Sequence, residues 1–150
     1  MKNLRVETEE QYSINKQNVH HVISRLKKEL KFSISFLQIN FVSSQHIKFL
    51  NEEYLEHKGS TDIITFNYSS QNYILDAESY ICIKTAEENA KSFNITVQNE
   101  LIRLIIHGIL HLTGYDDINE SDRKKMKKEE NRLVDLIFHK DIKILENDDK

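Results

Sequence analysis

Proline and tryptophan are absent from this chain of 150 residues, cysteine occurs once and glycine three times. The lone Cys82 has no partner for an internal disulfide, which fits a reducing compartment. Without proline, and with so little glycine, the composition offers no linker, and no internal repeat is visible. No run approaches the roughly 18 uninterrupted apolar residues that a membrane helix needs. The N-terminus, Met1-Lys2-Asn3-Leu4-Arg5-Val6-Glu7, carries charge too densely for the apolar core of a secretory signal, so none is expected there. An excess of positive charge is missing as well: 21 basic residues stand against 24 acidic ones, net −3. Any nucleic-acid contact must therefore come from a local patch.

What remains is a soluble, globular composition, 39% hydrophobic and 30% charged, long enough for one ordinary domain over 1–150. Leu4, Val6 and Thr8 alternate with polar residues as in a first strand. Residues 15–31 carry Val19, Val22, Ile23, Leu26 and Leu30 on one helical stripe. Residues 34–42 alternate as a half-buried strand. Ser43 and Ser44 are placed to cap a helix bearing Ile47, Phe49, Leu50 and Tyr54. Lys58-Gly59-Ser60 reads as a loop, 62–68 as a β-branched and aromatic strand, and Ser69–Asn72 as a turn. A strand at 79–83, a helix at 85–93 ended by Asn94, a helix from Val97 to Leu112 and a charged helix from Asn119 to Phe138 complete the reading. The tail, about 141–150, is expected to fray. The fold class is α+β, a small mixed sheet packed with helices, with strands three and four forming a hairpin.

Two of the three glycines lie between His107 and Asp117, in His107-Gly108-Ile109-Leu110-His111-Leu112-Thr113-Gly114-Tyr115-Asp116-Asp117. Histidines at i and i+4 share one helical face, about 6 Å apart along the axis. Both imidazoles can therefore reach one metal ion. Gly114 can take positive φ and stop the helix, so that Asp117 swings back as a third ligand, with Asp116 as its competitor. Three protein ligands and an open position describe a catalytic zinc site. The bland alternative is a pair of hydrogen-bonded core histidines at a helix end. The spacing H-x3-H-x2-G-x2-D is also that of zinc peptidases, which place their glutamate base directly after the first histidine. Here that position is Gly108, so a peptidase would lack its base, whereas phosphodiester cleavage can use the metal-activated water directly.

The residues at this point resemble the YbeY-type rRNA maturation factors, metal-dependent endoribonucleases of bacteria. Their signature, H-G-x-L-H-L-x-G-Y-D-H, is met at every fixed position from 107 to 116. Leu50-Asn51-Glu52-Glu53-Tyr54 and Thr61-Asp62-Ile63-Ile64-Thr65-Phe66 resemble the family's L-N-x-x-Y and T-D-V-L-S-F segments, and the likeness runs over roughly 34–135. It implies a cytoplasmic endoribonuclease. It also implies one zinc ion per chain held by His107, His111 and the residue at 117, and an activity that serves ribosomal RNA processing at the small-subunit 3′ end and ribosome quality control. The implied partners are ribosomal RNA and the ribosome or its proteins, with no membrane.

Three positions depart from the family pattern. Asp117 stands where the last motif histidine belongs, which lowers the charge of the site by one and moves metal preference toward harder ions such as manganese. Leu55 stands where an arginine is usual. Ala77-Glu78 replaces a Gly-Asp pair.

Further candidates surround the motif. His57, Lys58 and Lys84 fall in segments that the resemblance places near the cleft, as RNA contacts. Glu100 and Arg103 precede His107 on the same helical face, either orienting a ligand histidine or pairing with each other. Arg123, Lys124, Lys125, Lys127, Lys128 and Arg132 form either a phosphate-tracking face or a solvated helix of mixed charge. His20, His21, His46 and His139 lack ligand spacing and read as surface, and Cys82 reads as buried. The alternative function is a ribosome-associated RNA- or protein-binding assembly factor with little catalysis, which Leu55 favours.

Overall fold

The computed structural model describes residues 2–147. Its elements run β1 (Leu4–Thr8), α1 (Lys16–Leu30), β2 (Ser33–Val42), α2 (Ser44–Tyr54), β3 (Ile63–Asn67), β4 (Ile74–Cys82), α3 (Ile83–Phe93), α4 (Val97–Leu112) and α5 (Glu120–Ile137). One four-stranded sheet has the order β1-β2-β4-β3. β1 and β4 run parallel to β2, and β3 returns antiparallel on β4 as the expected hairpin. The sheet is mixed and the class is α+β.

Local chemistry sets most boundaries. Asn15, Ser43, Thr96 and Asn119 each accept a backbone N–H at a helix start, satisfying donors the helix leaves open. Asn94 ends α3 in the left-handed region, at φ 57°. β4 is longer than its sequence signal, reaching back to Ile74, because Leu75 and Ala77 alternate inward below the apolar run at 79–82. In α2 the buried residues are Ile47, Leu50 and Asn51. Phe49 and Tyr54 point outward, 56% and 64% exposed, because the helix meets the sheet only along the narrower stripe. Tyr54 still packs edge-on against Phe66, ring centroids 6.0 Å apart.

The main core lies between one sheet face and helices α1, α3, α4 and α5. A smaller cluster lies under α2 on the other face, where Ile47 and Leu50 meet Val42, Ile64 and Cys82. Helix α4 is apolar on nearly every side and buried accordingly. Among the described residues, no helix is long and apolar enough to cross a membrane.

The expectation of a frayed tail is corrected for residues 141–147; residues 148–150 lie outside the described ones. Ile142, Ile144 and Leu145 are buried in the main core. Leu145 bridges to Ile14. Buried Gln98 of α4 accepts from the backbone N–H of Ile144 (2.6 Å) and Leu145 (3.1 Å) and donates to the Leu145 carbonyl (2.8 Å). Three apolar side chains and one buried amide hold a segment whose charged neighbours hide them in the sequence. Replacing Gln98 with alanine strands two buried donors and is expected to lower the unfolding free energy by about 2–4 kcal/mol. Urea denaturation of Gln98→Ala measures this, and an unchanged midpoint would contradict the account.

Candidate metal centre

Helix α4 rests on the sheet at Gly108. A Cβ there would lie 3.1 Å from Ile63 Cδ1 and 3.4 Å from the hydroxyls of Ser79 and Thr65. The close approach brings the neighbouring His107, and His111 one turn on, beside β3. It also leaves no room at 108 for the glutamate base of a peptidase. After Leu112 the chain turns through Gly114 at φ 106°. Any side chain at that position would collide with Asn72, whose Nδ2 lies 2.7 Å from the Cβ site. Tyr115 N and Gly114 N close the turn onto the carbonyls of Leu110 and His111. Arg123 then clamps the returning loop, its guanidinium donating to the carbonyls of Asp117 (3.3 Å) and Ile118 (3.2 Å).

These constraints bring His107, His111 and Asp117 together, with one ligand atom from each lying within 4.8 Å of the others. The two Nε2 atoms are 3.2 Å apart. Ligand nitrogens 2.0–2.1 Å from a tetrahedral ion stand about 3.3 Å from each other, so the imidazoles already have the required separation. Asp117 Oδ2 is 3.8 Å from His111 Nε2, and its side chain is half-exposed and able to close the remaining gap. Asp116 is committed elsewhere: its Oδ1 accepts from Ile118 N at 3.3 Å, within the turn.

Hydrogen bonding prepares the rings as ligands. His107 Nδ1 lies 2.8 Å from Glu130 Oε1. Burial alone would raise the Glu130 carboxyl. The hydrogen bonds from His107, Lys127 and Arg103 and the Lys127 charge outweigh it and hold the pKa down to about 2. An ionised carboxylate only accepts, so Nδ1 carries the hydrogen and Nε2 is the ring nitrogen turned toward the site. His111 is pushed below the ordinary imidazole range by burial and then by the neighbouring His107, against the pull of Asp117 and a hydrogen bond to the Tyr115 backbone. It is therefore neutral at pH 7. Two imidazole Nε2 atoms facing each other at 3.2 Å suit a shared cation, and the donor set of two imidazoles and a carboxylate fits a zinc-class ion.

Glu130 is the site residue that the sequence does not single out, since it lies among the many charges of the last helix. Its signal was present, since it falls in the buried stripe of α5 with Met126, Leu133, Val134 and Ile137. Of the two positioning candidates, Arg103 reaches His107 only through Glu130, to which it donates at 2.9 Å. Glu100 lies 3.9 Å from Arg103 Nε and accepts from Asn89 at 3.2 Å. Its pKa is raised by burial, against the Asn89 hydrogen bond and the Arg103 charge.

His57 and Lys58 line a separate surface hollow with Lys48, Glu52 and Glu56, away from the metal ligands. Lys84 is exposed on the first turn of α3. Two hollows meet at the triad. One, about 700 Å³, has Arg103, Arg123, Lys124 and Lys127 in its wall. The other, about 420 Å³, runs along β3. Asp62, His107 and Asp117 line both.

An α+β protein whose buried central helix offers two imidazoles, with a carboxylate from the following turn, carries a candidate hydrolytic metal centre beside a hollow lined by both cations and carboxylates. The chain belongs to the YbeY family: the profile described as Endoribonuclease YbeY matches residues 3–137. Among similar proteins, Endoribonuclease YbeY of Chlorobium luteolum is 40% identical over 98 residues, covering 65% of this chain and 71% of that one. The Amoebophilus asiaticus protein of the same name is 34% identical over 125 residues, covering 79% and 82%. The solution structure of TM1509 from Thermotoga maritima superposes with a TM-score of 0.65 at 28% identity, covering 89% of this chain and 88% of that one.

Glu130→Gln removes the charge behind His107 and is expected to weaken zinc binding about 10- to 100-fold. His111→Ala is expected to lose the ion, and Asp117→His to keep it. Elemental mass spectrometry and chelator competition read all three. Full metal content in His111→Ala would refute the ligand assignment, and loss in Asp117→His would remove Asp117 from it.

Proposed function

We propose that this chain is a metal-dependent endoribonuclease that matures ribosomal RNA, acting at the small-subunit 3′ end and in ribosome quality control in the cytoplasm. The observation that carries the reading is the ligand-spaced His107–His111–Asp117 group at the mouth of a hollow whose mixed-charge wall includes the exposed Lys124 and Lys127. The names borne by its relatives supply the reaction class. Zinc, one ion per chain, is the proposed cofactor, with manganese as the harder alternative that Asp117 favours.

His107, His111 and Asp117 would hold the ion, which when bound would polarise a phosphate and make water acidic enough to attack near neutral pH. Glu130 keeps the His107 lone pair directed at the site. Arg123 holds Asp117 in reach through the loop carbonyls. Lys124 and Lys127, exposed on α5, attract the phosphate chain and keep it over the ligands. Position 108 supplies no proton acceptor, which suits a phosphodiester better than a peptide bond. His57, Lys58 and Lys84 are proposed as more distant RNA contacts, and ribosomal RNA and ribosomal proteins as the partners. The second reading, an RNA- or protein-binding assembly factor with little catalysis, draws on Leu55, which supplies no phosphate contact beside the ligands.

Purified protein is expected to cleave a structured ribosomal RNA fragment, to stop with a chelator and to recover with zinc or manganese. Binding without turnover under any metal would favour the assembly factor. Lys124→Ala is expected to weaken binding equally across RNA sequences and to reduce the slope of log K against log salt by about 0.7. An unchanged slope would take Lys124 out of the phosphate path.

A further inference from the structure

The two hollows that meet at the ligands differ in chemistry. The larger mixes four cations, Arg103, Arg123, Lys124 and Lys127, with five carboxylates, and its two lysines remain exposed. The smaller has no lysine or arginine among its described lining residues; its wall is Leu55, Ile63, Ile64 and Leu112 with the polar Thr65 and Asn67, closed at the metal end by the ligands and Asp62. A phosphate entering it would find carboxylates and no counter-charge. An apolar, flat group with hydrogen-bonding edges would not meet that cost.

The wall also presents hydrogen-bonding backbone. β3 is the last strand of the sheet. Asp62 O accepts from Cys82 N at 2.9 Å, and Tyr68 N donates to Asp76 O at 2.8 Å. The antiparallel register pairs Ile63 with Ile81 and Asn67 with Ala77. Hydrogen-bonded pairs alternate in such a ladder, so Ile64 and Phe66 also bond β4. The N–H and C=O groups of Ile63, Thr65 and Asn67 therefore point to the open edge, along the smaller hollow. Each residue offers a donor and an acceptor side by side, the complement of a nucleobase edge. Leu55, 40% exposed at the end of α2, supplies an apolar surface for the ring.

We infer that the smaller hollow is a nucleobase subsite: an RNA strand crosses the ligands with its phosphates on the α5 side and one base, next to the scissile phosphate, turned in between Leu55 and the β3 edge. A base in that position is unpaired. The inference rests on the endoribonuclease reading and adds the orientation of the strand and a reason for leucine at 55.

The test is an abasic scan of a single-stranded RNA cleaved at one site, with kcat/KM measured for the metal-loaded protein and for Leu55→Ala, a half-exposed position whose truncation leaves the core intact. One abasic position beside the scissile phosphate is expected to lower kcat/KM about tenfold, as loss of one packed, hydrogen-bonded base implies. Leu55→Ala is expected to lower kcat/KM several-fold on the intact strand and hardly at all on that abasic strand, since the two changes remove the same contact. Pairing that nucleotide to a complementary strand should stop cleavage. Cleavage with a flat abasic profile, or with penalties that simply add to that of Leu55→Ala, would overturn the subsite alone. Failure to cleave any RNA would overturn the endoribonuclease reading and the subsite together.

Discussion

Helix α4 has almost no polar side of its own. It reaches low free energy only where the sheet, α1, α3 and α5 close around it. Its contact with β3 and β4 is close enough that Gly108 leaves little space for a Cβ. Asn99, Arg103, His107 and His111, spaced four apart, are the residues of the helix that are only partly buried, and the two imidazoles stand at the gap between the β3 edge and α5. The metal centre is thus a consequence of how the core is closed. The helix that most needs covering is left partly open along one narrow strip, and the histidine ligands occupy its C-terminal half.

Charge inside that closure is arranged as a chain. Glu130, 4% exposed, is a carboxylate that burial opposes, and it is stable because Arg103, Lys127 and His107 all address it. The network joins α5 to α4 at the ligand histidine, so the packing of these helices and the direction of the His107 lone pair are one property. Arg123 does for Asp117 what Glu130 does for His107, holding the backbone of the loop while the carboxylate itself stays half-exposed. One ligand end of the site is rigid and the other adjustable, which suits a centre whose third ligand is a carboxylate.

The two departures nearest the ligands act on different walls. Asp117 changes the charge of the donor set. Leu55 sits across from it, in the hollow without cations, where an apolar side chain agrees with the aliphatic β3 wall. The cationic wall is supplied by α5 and Arg103. The asymmetry gives a bound strand a direction that a uniformly basic cleft would not impose.

Elements built on local rules were legible in the residues: α4 from Val97 to Leu112, the cap at Ser43, the start of α5 near Asn119, the end of α3 at Asn94, and the β3–β4 hairpin. So were His107 and His111, because i,i+4 spacing is a property of one helix, and the Gly114 turn that returns Asp117 follows from one residue's φ. What depended on distant partners was hidden. Glu130 reads as one charge among many until α5 is laid against α4. Ile142, Ile144 and Leu145 read as a charged tail until Gln98 is opposite them. The two-sided cleft exists only once α2, β3 and α5 are brought around the ligands. The sequence by itself determined which residues can bind a metal, because backbone periodicity places them; tertiary structure alone decided which buried carboxylate orients them and which wall gathers basic or aliphatic side chains, because those contacts join residues far apart in the chain.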